Sequence, residues 1–203
     1  MVVFTCVRDC QWQGRIWRKG EVVPWSPGED VPPRHFRSDG LELHCPVGAP
    51  DRETDFLVIV GDSPHVAQHI AKFSRARPYT VAAVNRGVVR WPGPVRFVVS
   101  LHVNFFFDLT APGAEFVSDK CNPDVGNRVI NASSAGGSGG LALQMGMQMG
   151  FPKILLVGVE LTSTDYVPMR PIFEAIPSKE RIRSMGGWTA DVFGLPDESW
   201  MED

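Results

Sequence analysis

The residues able to do chemistry gather in a few short stretches. The first is Val60-Gly61-Asp62-Ser63-Pro64, which follows an apolar run. A glycine turn from a strand into a helix offers free backbone N–H groups and the positive end of the helix dipole, both suited to an anion. Asp62, however, puts a carboxylate where a phosphate would sit, and the second glycine of the dinucleotide fingerprint is absent. The plainer reading is a tight turn with Ser63 as N-cap and Pro64 as first helical residue. The second stretch is Ser134-Ala135-Gly136-Gly137-Ser138-Gly139-Gly140. Backbone without side chains at a helix start can wrap a phosphate or a sugar. The same glycines serve equally well for close packing of helix on sheet.

Histidine and cysteine add weaker signals. His102, at the end of an apolar run, is a weak lone candidate for acid–base work. His65 and His69 are spaced i, i+4, a spacing that can hold zinc, but Val66 stands where the H-E-x-x-H pattern needs its glutamate. Solvated histidines beside an apolar stripe are expected there. Cys6 and Cys10, with His44 and Cys45, fall off the usual zinc-knuckle spacing, so free buried thiols are expected, with no metal and no cofactor. The start MVVFTCVRDC does not read as a secretory leader. A reducing cytoplasm is the default on that reading, and the Asn131-Ala132-Ser133 sequon is incidental.

The elements that must position these residues read as strands alternating with helices. Phe56 to Val60, Thr80 to Val84, Val95 to Leu101 and Lys153 to Glu160 are apolar throughout, as strands buried on both faces are. Residues 114–117 and 128–132 are weaker strand candidates. Helices are expected from Pro64 to about Phe73 and from Leu141 to Met149, the second closed by Gly150. The expected fold is α/β: a Rossmann-like, mostly parallel sheet with helices on both faces, plus a small N-terminal β appendage. Residues 1–25 form that β-motif, 26–54 a Pro-rich strap, 55–162 the Rossmann-like domain and 163–203 an irregular C-terminal arm. Ligands in such folds sit beyond the carboxyl ends of the strands. Gly61–Ser63, Asn85-Arg86-Gly87, Ser100–His102 and the Ser134–Gly140 loop all fall there.

Composition narrows the partners. The chain has 203 residues with a net charge of −3 and no long basic run, which argues against direct nucleic-acid binding. No apolar run nears the ~18 residues a membrane span needs. Trp12, Trp17, Trp188 and Trp200 lie in the two terminal segments, where large rigid aromatics suit interfaces.

The set LVIVGDSP, VAAVNRG, VVSLH, SAGGSGGLALQMGMQMGF and KILLVGVEL resembles Rossmann-like proteins of the MptE-like (6-hydroxymethylpterin diphosphokinase-like) group and the bacterial sialyltransferases that use CMP-sialic acid. The resemblance covers about residues 55–162. It implies nucleotide contacts at Gly61, Ser63, Asn85, Ser134, Gly136, Gly137 and Ser138. Two departures matter: Asp62 in the first turn, and the absence of a histidine downstream of the last strand. CVRDCQWQGRIWRKGEVV with DVPPRHF is similar to a β-motif of small tailed-bacteriophage proteins, which implies attachment to a virion. The leading expectation is therefore a virion structural or assembly protein with a catalytically degenerate Rossmann-like domain, working as a homo-oligomer or docked on other virion proteins. The alternative is a nucleotide-sugar or pterin-diphosphate transferase.

Overall fold

A computed structural model describes residues 2–6, 8–25, 36–38, 45–74, 77–109, 111–122, 125–132 and 136–202. The N-terminal segment forms sheets of its own, and the expected limit at residue 25 is corrected: Phe36–Ser38, placed in the Pro-rich strap, pairs as a strand with Phe4–Cys6, and Val47 of the same strap bridges to Val129 of the main sheet. The segment's strands are β1 (Val2–Cys6), β2 (Cys10–Trp12), β3 (Arg15–Trp17), β4 (Val22–Trp25) and β5 (Phe36–Ser38). β1 lies antiparallel between β4 and β5, while β2 and β3 form a hairpin turned at Gln13-Gly14. Cys6, Trp17 and Phe36 are the buried centre of this unit, and Trp12 packs on both aromatics with ring centroids 6.1 and 5.2 Å away.

The main body runs β6 (Phe56–Val60), α1 (Val66–Lys72), β7 (Thr80–Val84), β8 (Phe97–Val99), β9 (Glu115–Ser118), β10 (Arg128–Val129), α2 (Gly137–Gln148), β11 (Lys153–Val157), α3 (Arg170–Glu174), β12 (Ile182–Ser184), α4 (Trp188–Phe193) and α5 (Glu198–Glu202). The sheet order is β10-β9-β8-β7-β6-β11-β12, with every pairing parallel. This is the expected Rossmann-like α/β architecture. β6 shows why its residues are all apolar. Leu57 and Ile59 face the cluster built with α2, including Leu141 and Met145. Phe56, Val58 and Val60 face the opposite cluster with Val66 of α1 and Trp91. Both faces are covered, so the two-residue alternation of a half-exposed strand is absent.

Three local expectations are corrected. α1 begins at Val66 rather than Pro64, and the Ser63 hydroxyl does not cap it but donates to Glu160. α2 begins at Gly137, four residues before the expected start, and its glycines lie close against their neighbours. A Cβ on Gly146 would lie 2.6 Å from Leu57, and one on Gly139 3.2 Å from Val159. Residues 163–202, read as irregular, instead add strand β12 and three short helices to the body. Each piece is too short to show a period in sequence.

Cysteine pairing is a further correction. Cys45 and Cys121 form a disulfide with Cα atoms 5.8 Å apart, so Cys45 cannot serve in a zinc set with Cys6 and Cys10. The cause is long-range. Residues 46–48 run alongside β10, with Gly48 N–H donating to the Val129 carbonyl and Val129 N–H to that of Pro46, both at 2.8 Å. Cys6 and Cys10 remain thiols, and burial pushes the Cys10 thiol up to about 11. His44 lies outside the described residues.

Candidate functional site

The strand order reverses beside β6. The chain steps outward through β7 to β10, then returns as β11 on the other flank of β6. The crevice beyond the carboxyl ends of β6 and β11 is therefore the topological switch point, where open α/β sheets bind ligands. Three backbone segments converge there. Gly61 N–H donates to the Val157 carbonyl at 2.8 Å and Ser63 N–H to that of Gly158 at 3.2 Å. A Cβ on Gly61 would fall 2.2 Å from the Gly158 carbonyl oxygen, and one on Gly87 2.1 Å from that of Val60. Gly61 is thus required by the approach of β11's continuation.

Glu160, two residues beyond Gly158, anchors the crevice. It is 4% exposed. One carboxylate oxygen accepts from the Ser63 hydroxyl at 2.8 Å, and the other is 2.9 Å from His65 Nδ1. His69 Nε2 lies 3.6 Å from the first oxygen. Gly158 N–H donates to His69 Nδ1 at 3.2 Å, so the neutral His69 ring carries its proton on Nε2, facing Glu160. The loop after β12 closes over the cluster. A Cβ on Gly186 would meet the His69 ring at 2.8 Å, one on Gly187 would meet the Glu160 side chain at 2.4 Å, and the Thr189 hydroxyl donates to the Val159 carbonyl at 2.6 Å. The expectation of two solvated histidines is corrected for His69, which is 7% exposed, while the His65 side chain is 57% exposed. Glu160 was missed because it ends the apolar run KILLVGVE. A glutamate at the end of a buried strand was the available signal, since such a group is rarely buried unpaired.

Burial holds the His69 imidazole below its ordinary value, opposed by the nearby Glu160 carboxylate. The unfolded chain then binds more protons than the folded one just below pH 6.5, so stability rises with pH through that window. This contribution is complete above about pH 6.5 and is lost as pH falls toward the depressed folded value. Thermal melts from pH 5 to 7.5 should show this slope. His69→Asn, whose Oδ1 can still accept from Gly158, should flatten it, and an unchanged slope in that variant would rule His69 out as its source.

A cavity of about 370 Å³ opens along the same sheet edge, lined by Asp62, Arg86, Val89, Arg90, Phe105 and Leu109. Arg90 Nε donates to Asp62 at 2.7 Å. The Asp62 charge, which on sequence grounds opposed a phosphate, is therefore compensated. Arg86 is exposed and makes no ion pair or hydrogen bond among the described residues, leaving one guanidinium in surplus. Asn85 precedes it in a left-handed conformation with φ of 50°, and its Oδ1 is buried without a partner. A buried, unsatisfied amide oxygen in a strained backbone is a common mark of a binding position.

The other expected site residues are placed as follows. Ser138 is buried, and its hydroxyl accepts from Leu101 N–H at 3.0 Å, tying the end of β8 to α2. Gly136 and Gly137 have positive φ and sit under α3 and Met169, where a Cβ would meet Ile172 at 3.1 Å and Met169 Sδ at 2.7 Å. Ser134 lies outside the described residues. His102 is exposed, with its ring edge-on to Phe105 at 5.7 Å. The four tryptophans pack within the chain. Trp12 and Trp17 build the N-terminal unit, Trp188 lies under the Arg170 guanidinium at 5.0 Å, and Trp200 meets Phe56 edge-on at 5.4 Å. Among the described residues no group of three His, Cys, Asp or Glu is set to hold a metal, and no helix is long and apolar enough to cross a membrane. No family model, curated protein or solved structure matches the chain.

Proposed function

We propose that the chain binds a nucleotide at the carboxyl edge of its parallel sheet, in the manner of a nucleotide-sugar or pterin-diphosphate transferase. The observation that carries this reading is the cavity beside Asn85, whose walls combine apolar Val89, Phe105 and Leu109 with two guanidiniums against one carboxylate. Apolar walls with a few convergent polar groups are the usual form of a small-molecule site. The surplus guanidinium of Arg86 suits the planar, bidentate recognition of phosphate. The compensation of Asp62 by Arg90 removes the main sequence objection. Calorimetric titration with CMP, UDP-glucose and ATP tests the reading. Micromolar binding by one of them, weakened at least tenfold in Arg86→Ala, is the expected result, since a charge-assisted contact to phosphate is worth about 1.5–3 kcal/mol. No binding by any of the three at millimolar concentration would overturn it.

A second reading, attachment to a virion or to further copies of the chain, is favoured by the separate N-terminal β-unit, which exposes Ile16 and Val22. Exposed apolar side chains on a unit outside the main sheet suit docking. Light scattering would then show concentration-dependent association that Ile16→Asp abolishes. A monomer at all concentrations would remove the self-association form of this reading.

A further inference from the structure

The sequence offered no histidine beyond the last strand to act as a base. The tertiary structure brings one from the opposite direction. His65, at the start of α1, meets Glu160, at the end of the β11 segment, across the switch-point crevice. We infer that His65 is the acid–base residue of this site and that Glu160 is its positioning residue; the inference rests on the nucleotide-binding reading above.

Three observations support it. First, a carboxylate can only accept, so the His65 Nδ1 that meets it at 2.9 Å carries the ring proton. Nε2 of the neutral ring is then a bare acceptor on a side chain that is more than half exposed, while Glu160 is buried. An exposed imidazole held in one tautomer by a buried carboxylate is the arrangement that makes histidine an effective base. Second, Glu160 is itself fixed. Ser63 donates to it and Gly187 packs against its stem, so its orientation does not depend on solvent. Third, Asp62, which lines the cavity, and His65 both belong to the segment that follows β6, and Glu160 to the one that follows β11, so the cavity and the dyad lie beyond the carboxyl ends of the same parallel strands. The titratable groups around His65 are Glu160 and, one helical turn along α1, His69, with Lys72 beyond it. Asp62 is engaged by Arg90.

A hydroxyl of water or of an acceptor attacks the carbon bonded to the nucleotide's phosphate oxygen, and His65 Nε2 takes the hydroxyl proton as the new C–O bond forms. The old carbon–oxygen bond breaks, and its electron pair leaves with the nucleotide phosphate. Arg86, in the cavity wall, is the guanidinium available to that charge. The imidazolium, steadied by Glu160, returns its proton to solvent.

The test follows nucleotide release from CMP-N-acetylneuraminic acid and UDP-glucose by chromatography, with binding of each measured by calorimetry on the same samples. The full chain should release nucleotide from at least one donor at a measurable rate. His65→Ala should lower it at least 100-fold, within the range for removal of a positioned base, and leave the Kd within twofold. Glu160→Gln should leave the Kd within twofold but lower the release rate, because an amide can donate to Nδ1 as well as accept from it and so no longer holds the ring proton there. His65 is exposed, so His65→Ala keeps the test decisive if Glu160→Gln fails to fold. Donors that bind without release, or a His65→Ala variant at full rate, would overturn the inference while leaving the binding reading intact. Donors that do not bind would overturn both.

Discussion

Gly61→Ala should cost about 3–5 kcal/mol, enough to unfold a marginal domain. Its Cβ would sit 2.2 Å from a backbone carbonyl oxygen, that of Gly158, and 2.9 Å from the carbonyl carbon. A flexible side chain can turn away from such a contact, but here the obstacle is the continuation of β11, itself held by the bond from Gly61 N–H to Val157. Relief requires β6 and β11 to separate at the centre of the sheet. Gly113→Ala is the comparison: its φ is +75° but nothing lies within 4 Å of the added atom, so only backbone strain of about 1 kcal/mol is expected. Urea unfolding of the two variants measures the contrast. Equal midpoints would show that the convergence of strands at the switch point is looser than the structure has it.

The second large effect concerns the Cys45–Cys121 disulfide, which spans 76 residues of sequence. Loop-closure entropy for a cross-link of that length is worth about 4.5 kcal/mol, within the 2–5 kcal/mol typical of removing a native disulfide. A Cys45→Ser, Cys121→Ser double variant should unfold at a correspondingly lower urea concentration than the oxidised chain. The wild type measured with reductant present should fall to the same midpoint. The first parts to loosen should be residues 45–48 and β10, which hold each other by two backbone hydrogen bonds, and hydrogen exchange at Val129 would report it. A midpoint insensitive to reductant would show that the bond is not formed in solution. Such bonds persist in oxidising surroundings and are rare in the reducing cytoplasm, so the same measurement bears on where the folded chain resides.

The apolar runs FLVIV, TVAAV and KILLV determined a parallel sheet covered on both faces, because only strands buried twice over dispense with alternation. The turn residues at their ends likewise located the edge where a ligand would bind, since in such sheets that edge follows from connectivity. The β-rich run at residues 2–7 was legible as a strand, but the strand Phe36–Ser38 that completes its sheet was hidden in the Pro-rich stretch, because a three-residue strand is defined by its pairing. What sequence alone could not supply was any partner more than a few residues away. Asp62 looked like an obstacle to phosphate until Arg90, 28 residues on, was found paired with it. His69 read as solvated, yet it is buried beside Glu160, and Gly136 and Gly137 read equally as a phosphate loop or a packing surface, whereas Ile172 of α3 and Met169 lie against them. The same holds for Cys45 with Cys121 and for the three-residue β12, whose place in the sheet depends on pairing with β11. Periodicity is a local property set by whether each face is buried, so it can be read along the chain. Charge compensation, tautomer and covalent pairing depend on which distant groups the fold brings within a few ångströms, and only the tertiary structure decides them.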